Sequence, residues 1–232
     1  MSILVIENYG DSPLGLVAEE FDKAGAQYKV LRPYDGDALP ADAGDYVGLV
    51  VLGGAQSALA DDEFAYLPAL AALTRRFSAA DRAVLGICLG AQIIARGHGA
   101  ENILGQPVEF GFHPVRPVGP GARDPLIAAL GDGSHVFHWH TDTFSLPQDA
   151  VHLAASAMAN HQAFRIGRAT YGIQFHFEVN DEIIDSWFEI AGHWLDEDMP
   201  GWRDALVAQR AAHARQAERI GRDMTRAWLG LV

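Results

Sequence analysis

The 232-residue chain carries 30 acidic and 17 basic side chains, which gives a net charge of −13 at pH 7. Such a chain repels a phosphate backbone unless its bases gather into a patch; its arginines are instead interleaved with acids, so nucleic acid is excluded as an expected partner. No apolar run reaches the roughly 18 residues of a membrane helix, no secretory signal opens the chain, and a single cysteine allows no internal disulfide, so we expect a cytoplasmic protein without membrane contact.

In the first hundred residues, short apolar runs rich in Val, Ile and Leu alternate with longer amphipathic ones. The short runs predict strands and the amphipathic runs predict helices. The strands are expected at 3–8, 28–33, 46–54 and 83–88, with helices at 13–23 and 63–77. Continuous apolar strands separated by helices favour a parallel sheet that is buried on both faces.

The second half of the chain has a different pattern: glycine, proline and alternating aromatic residues at 103–118 predict antiparallel strands. Further short strands are expected at 136–140, 151–156, 162–167 and 171–179, followed by helices at 181–195 and 202–229. The expected fold is α/β: a three-layer sandwich with a mostly parallel central sheet, helices on both faces, a small antiparallel sheet and a C-terminal helical extension. We place the domain at 1–196 and the extension at 197–232. The extension could pack on its own domain, pair with a second copy in a homodimer, or dock a partner.

The single cysteine, Cys88, stands where a predicted strand meets a helix, in the sequence Gly-Ile-Cys-Leu-Gly at 86–90. Cysteine in an apolar run is often only a small buried residue. The G-x-C-x-G pattern, however, is typical of a nucleophile elbow, a sharp turn whose glycines leave room for a reactive side chain. The positive end of the helix dipole also favours thiolate there. The N–H of Leu89 points to the same place and could bind an oxyanion, so Cys88 is a candidate nucleophile.

A nucleophilic thiol needs a base, and the base needs a group that orients it. Among ten histidines, His176 ends a strand-like run and has Glu178 two residues later. Because residues i and i+2 of an extended segment share a face, we expect Glu178 to orient His176. The strand at 46–54 ends in two glycines at the carboxyl edge of the sheet. Gly54, with Gly53 as the next choice, is predicted to supply a second oxyanion-binding N–H.

Three stretches together resemble the class I glutamine amidotransferase domain. "LGGAQS" at 52–57 matches its oxyanion loop, "GICLGAQ" at 86–92 its elbow, and "GIQFHFE" at 172–178 its late Q-F-H-x-E motif. "VEFGFHPV" at 108–115 and "HWHTDTFSLP" at 138–147 are similar to its substrate loops. The motifs stand in the family's order and at its usual spacing, and the resemblance covers about residues 3–190.

The resemblance implies a role for each matching residue. Cys88 would attack the γ-carbonyl of a glutamine-like substrate to give a γ-glutamyl thioester. His176, oriented by Glu178, would protonate the leaving amine and later activate water, while the N–H groups of Gly54 and Leu89 bind the oxyanion. Gln92 matches the residue of the family that contacts glutamine, and Glu109 with the loop at 140–142 would shape the pocket for the substrate's α-amino and α-carboxylate groups. The expected substrate-binding residues are Gly53, Gln92, Glu109, His140, Thr141 and Asp142.

The sequence departs from the family pattern at three positions. Phe177 replaces a usual proline and is expected to reshape the pocket wall. Ala91 replaces a larger residue and is expected to widen the space beside the nucleophile. Thr141 replaces a frequent glycine, which puts a backbone contact there in doubt. These departures weaken the expectation that free glutamine is the substrate.

The histidines of "HWH" at 138–140, with His135 and His152 nearby, share a strand face and suit zinc. No carboxylate or thiol cluster completes the set in the sequence, and the resemblance already accounts for His140. We therefore expect no metal and no other cofactor.

The sequence supports three functions. The first is a stand-alone hydrolase, a glutaminase or γ-glutamyl hydrolase similar to γ-glutamyl peptidases and to guanylate-synthase-like amidotransferase domains, acting on a small-molecule substrate. The second is a glutaminase subunit that delivers ammonia to an unidentified synthase partner. The third is a catalytically quiet binding or regulatory protein on the same fold, which the intact Cys88, His176 and Glu178 disfavour.

Overall fold

The computed structural model describes residues 2–232, apart from the side chains of residues 197 and 198. The strands are β1 (Ser2–Ile6), β2 (Tyr28–Leu31), β3 (Tyr46–Val51), β4 (Ala83–Ile87), β5 (Asn102–Ile103), β6 (Glu109–Pro117), β7 (Ser134–His140), β8 (Thr143–Phe144), β9 (Ala150–Ala155), β10 (Ala163–Ile166) and β11 (Thr170–Ile173). The α-helices are α1 (Leu16–Ala24), α2 (Leu67–Ala79), α3 (Leu89–Gly97), α4 (Asp181–Asp198) and α5 (Trp202–Leu229). None of the helices within residues 2–232 is both long and apolar enough to cross a bilayer.

Nine strands form one sheet in the order β2-β1-β3-β4-β11-β10-β9-β6-β7. The five strands from β2 to β11 are parallel, and each later strand runs antiparallel to its neighbour. Strands β5 and β8 form a separate antiparallel pair. The expected α/β fold with a large central sheet, helices on both faces and a small antiparallel sheet is confirmed.

The buried strands supply side chains to both faces of the sheet, because successive residues of a strand point in opposite directions. Ile3 and Val5 join the apolar core that also holds side chains of α1 and α5. Leu4 and Ile6 join the core on the other face, with side chains of α2 and α3. The apolar, non-alternating sequence of β1 is therefore a consequence of burial on both faces.

Helix α5 packs along the domain. Its Trp228 is fully buried and stacks on Phe21 of α1, with ring centroids 6.0 Å apart. Glu20 of α1, 3% exposed, accepts hydrogen bonds from Arg222 and Arg226 of α5. The division of the chain at residue 196 stays a prediction.

Three predicted segments have different bounds in the structure. The run at 171–179 stops being a ladder strand after Ile173, because the chain then leaves β4 and crosses to β7, where the His176 N–H donates to Phe137 O at 2.8 Å. The run at 103–118 is interrupted: Ile103 belongs to β5, and a separate strand, β6, begins at Glu109 and ends at Pro117. The helix expected to end at 195 continues to Asp198, so the break before α5 is shorter than expected.

The elbow is possible because two glycines let α3 cross the sheet at close range. A Cβ built on Gly90 falls onto the carbonyl of Val51 in β3, and one built on Gly86 lies 2.5 Å from the Gly90 carbonyl. Neither glycine has a positive φ, so the requirement is for space alone.

Gly90→Ala is therefore expected to destabilise the fold by about 1–3 kcal/mol, the usual cost of overpacking a core. The midpoint of denaturant unfolding would measure it. Gly10→Ala is the matched control, since a Cβ there reaches only the Tyr34 hydroxyl at 3.5 Å. A Gly90→Ala midpoint equal to that of the control would contradict this packing of α3 on β3.

Candidate active site

Cys88 sits between β4 and α3 with φ 52° and ψ −109°. A left-handed φ is uncommon for a residue with a side chain and costs of order 1–3 kcal/mol. The thiol is 6% exposed. Its sulfur lies 3.9 Å from the carbonyl oxygen of Trp139 and 3.6 Å from the Nε2 donor of Gln174. The backbone thus holds the sulfur at the N-terminus of α3, beside the positive end of the helix dipole.

His176 and Glu178 form a buried pair beside Cys88. The imidazole Nδ1 lies 2.6 Å from Oε1 of Glu178, and both residues are at most 5% exposed. Burial alone would lower the pKa of His176. The Glu178 carboxylate and the Cys88 sulfur outweigh burial and raise that pKa to about 10. The imidazole is therefore held as an imidazolium that can give a proton.

The N–H groups of Gly54 and Leu89, near Cys88, are among those that donate to no backbone carbonyl within residues 2–232. Both residues line the same cavity as Cys88. Gln56 fixes the Gly54 loop, because its side-chain amide donates at 2.8 Å both to the carbonyl of Asn8 and to the hydroxyl of Tyr66. Free N–H groups beside a nucleophile have the chemistry of an oxyanion site, and that role stays a prediction here.

Cys88 and His176 open into a cavity of about 320 Å³, a size typical of a small-molecule site. Four of the six predicted substrate-binding residues line it: Gln92, His140, Thr141 and Asp142. Gln92 ties the elbow helix to the loop after β7, since its Nε2 donates to the carbonyl of Asp142 at 3.2 Å.

The other two predicted substrate-binding residues do not line the cavity as described for residues 2–232. Gly53 lies behind Cys88 and His176: a Cβ built on Gly53 would be 3.3 Å from Cε1 of His176. Glu109 is 1% exposed and lies behind His140, with its Oε2 2.9 Å from Nε2 of His140. Glu109 can therefore affect a substrate only through His140, which it holds in place together with the carbonyl of Asp142, 3.0 Å from Nδ1.

A carboxylate does reach the histidines of β7, which the linear sequence did not reveal. Glu109, His138 and His140 place their donor atoms within 4.8 Å of one another. Burial lowers the pKa of His138 to about 3, so its ring is a neutral potential ligand. The same Oε2 of Glu109 already accepts hydrogen bonds from His140 and Gln162, however. The expectation that the site uses no metal stays a prediction.

His135 and His152 lie apart from this cluster. His135 stacks on His213 of α5, with ring centroids 3.8 Å apart, and Nε2 of His152 lies 3.0 Å from the carbonyl oxygen of Ala154.

Two expectations drawn from departures in the motifs are wrong. Phe177 is 2% exposed and packs in the core with the α1 and α5 side chains, so it does not form part of the described cavity wall. Ala91 is fully buried in the core on the other face and does not widen the described cavity. In each case the backbone turns the side chain away from the nucleophile. Thr141, in contrast, is exposed at the cavity edge.

One wall of the cavity was not predicted from the sequence. Trp187, Ile190, Ala191 and Trp194 of α4 line it, as do Tyr9 and Asp11 after β1. The spacing of the four α4 residues is that of one helical face, so this pattern could have been recognised within the helix predicted at 181–195. The sequence alone could not show which part of the protein this face would contact.

The sequence model of the family described as "Glutamine amidotransferase class-I" matches residues 4–186. The protein YfeJ of Salmonella typhimurium, described as glutamine amidotransferase-like, is 36% identical over 183 residues, covering 73% of this chain and 77% of the relative. Gamma-glutamyl peptidase 3 of Arabidopsis thaliana is 28% identical over 208 residues, with 86% and 81% covered. One subunit of the glutamine-hydrolysing GMP synthase of Methanosarcina acetivorans is 30% identical over 121 residues, with 49% and 62% covered.

Solved structures resemble the whole chain. The crystal structure of a glutamine amidotransferase from Methylobacillus flagellatus superimposes with a TM-score of 0.89 at 27% identity, covering 100% of this chain and 95% of that one.

Proposed function

Because the chain belongs to the class I glutamine amidotransferase family, we propose that it is a cysteine-dependent amidohydrolase that is active without a partner. Its substrate is the γ-amide of glutamine or of a γ-glutamyl compound. One observation carries the proposal: Cys88, held at a left-handed φ at a helix N-terminus, shares a cavity with the paired His176 and Glu178. The single thiol of the chain suits a reducing compartment such as the cytoplasm.

The proposed reaction has two steps. The Cys88 thiolate attacks the γ-carbonyl carbon, the oxyanion is bound by the N–H groups of Gly54 and Leu89, and the C–N bond breaks as His176 gives its proton to the leaving amine. Water, deprotonated by His176, then attacks the γ-glutamyl thioester and releases glutamate and the thiolate. Glu178 keeps the imidazole oriented and stabilises its charged form in both steps.

A second function, a glutaminase subunit that passes ammonia to a synthase partner, is supported by the likeness to the GMP synthase subunit of Methanosarcina acetivorans. The exposed apolar side chains at the cavity mouth, among them Trp194 at 60% exposure, are compatible with a docked partner. A quiet binding protein on this fold is less well supported, because it would have no use for a strained cysteine beside a charged imidazole.

Purified chain alone is expected to release glutamate from glutamine or from at least one γ-glutamyl amide, as followed by a coupled glutamate assay. Inactive Cys88→Ala protein is the blank. If no glutamate is released from any substrate, the result contradicts the proposal and favours the partner-dependent role. A pull-down with the wild-type chain as bait would then test for a synthase.

A further inference from the structure

Helix α4 presents an apolar stripe to the cavity that holds Cys88. The stripe consists of Trp187, Ile190, Ala191 and Trp194, and we call it the α4 stripe. Its outer members are open to water: Ile190 is 45% and Trp194 60% exposed. The neighbouring face of the same helix buries Ile183, Ile184 and Leu195 in the domain. Large apolar side chains that remain exposed around a cavity mark a binding surface rather than a core.

The α4 stripe is held in a fixed position relative to the nucleophile. The Trp187 ring meets the His176 ring edge-on, with centroids 4.9 Å apart, and its Nε1 donates to the carbonyl of Asp11. At the start of α4, Asp181 and Asp185 pair with Arg210 of α5. A substrate atom bonded to the scissile carbonyl on this side of Cys88 would therefore meet an apolar surface that is already in place.

The charges around the cavity are acidic. Among its described lining residues there is no lysine and no arginine, whereas Asp11 and Asp142 contribute carboxylates. The two lining histidines are each matched by a buried carboxylate, His176 by Glu178 and His140 by Glu109. A carboxylate on the leaving group would thus find no free cation at the cavity mouth and would be repelled.

Resting on the proposed function, we propose that the α4 stripe binds the leaving amine, and that the preferred leaving amine is apolar and carries no carboxylate. Glutamine loses only ammonia, which leaves four apolar side chains without an occupant. In a γ-glutamyl alkyl or aryl amide, the thiolate forms the thioester bond as the C–N bond breaks, and His176 supplies the proton of the departing amine. The apolar group of the amine lies along Ile190 and Trp194 both before and during the cleavage.

The test compares kcat/KM of the whole chain on three substrates: glutamine, γ-glutamyl-phenethylamide and γ-glutamyl-phenylalanine. The last two differ only by a carboxylate. The phenethylamide is expected to exceed glutamine by about tenfold or more, the scale of a well-filled apolar contact. It should exceed the phenylalanine compound by about fivefold, as expected for one screened charge repulsion. Asp11→Asn should reduce the ratio of kcat/KM for the phenethylamide to kcat/KM for γ-glutamyl-phenylalanine.

Two variants test the wall itself. Trp194→Ala is expected to lower the ratio of phenethylamide to glutamine kcat/KM about tenfold, and Ile190→Ser, at another exposed position, should lower it in the same direction. Met158→Ala, which removes an equally exposed apolar side chain outside the cavity lining, is the control and should keep the ratio.

Equal use of all three substrates, or a ratio that neither variant changes, would overturn the inference while leaving the proposed function in place. Preference for γ-glutamyl-phenylalanine would overturn it as well, in favour of a peptidase. If no substrate is cleaved, glutamine included, the proposed function fails first and the inference fails with it.

Discussion

Cys88→Ala is expected to reduce kcat/KM for glutamate release by at least about 10³-fold, because the covalent route through a thioester needs the sulfur. The structure offers no substitute, since the 232 residues contain no other cysteine. A brief incubation of the wild-type chain with substrate should also leave a γ-glutamyl adduct on Cys88, visible by intact-mass spectrometry. The variant should show none.

The control for this variant is its stability. Cys88→Ala keeps a Cβ at the left-handed φ of 52° and therefore keeps the backbone strain. Cys88→Gly removes the Cβ and with it the strain, because glycine adopts a positive φ readily. The glycine variant should therefore be at least as stable as the alanine variant, although glycine usually costs about 0.5–1 kcal/mol in regular structure. Undiminished hydrolysis by a folded Cys88→Ala protein would end the proposed mechanism.

The second large effect concerns the pH dependence set by His176 and Glu178. With the pKa of His176 at about 10, the imidazolium persists through neutral pH, and activity should fall only as the pH rises toward that value. Glu178→Gln removes the carboxylate that offsets the effect of burial on the pKa of His176. The fall of activity at high pH should therefore begin at a lower pH in this variant. Loss of a general acid–base group costs about 10²–10⁴-fold. His176→Ala should lose that much, and Glu178→Gln less.

The same pair links pH to folding. Because the pKa of His176 is above its ordinary 6.5 in the folded state, protonation stabilises the fold. That contribution is complete below pH 6.5 and is lost as the pH rises toward 10. Glu178→Gln should flatten this part of the stability profile, whereas Glu182→Gln, at an exposed position of α4, should not. An unmoved alkaline limb of activity in Glu178→Gln would contradict the assigned role of the pair.

How much the sequence could predict depended on whether the responsible contacts were local. The strand-to-helix junction at Cys88 and the pairing of His176 with Glu178 follow from spacings of a few residues, and the structure contains both. The physical argument for the pair was nevertheless incomplete, since β11 ends at Ile173 and His176 is extended only because it bridges to Phe137. The i, i+2 spacing therefore predicted the pairing of His176 with Glu178 correctly, but the extended backbone that makes the pairing possible depends on β7, which is distant in the sequence.

Long-range placement was not predictable. The position of Glu109 behind His140, and the inward burial of Phe177, depend on how β6, β7 and α5 meet, which no short pattern encodes. Helix α4 illustrates the same limit. Its apolar positions could be counted in the sequence, but a stripe that lines a cavity and one that fills a core have the same period.

The acidic entrance to the cavity that holds Cys88 has a consequence for oxidation of the thiol. A cysteine oxidised to sulfenic acid is usually rescued by a second thiol that forms a disulfide with it. These 232 residues contain no second cysteine, so repair requires an external thiol that enters the cavity. The carboxylates of Asp11 and Asp142 at that entrance disfavour anionic thiols such as glutathione. We therefore expect peroxide to inactivate the protein in a way that a small uncharged thiol reverses faster than glutathione does.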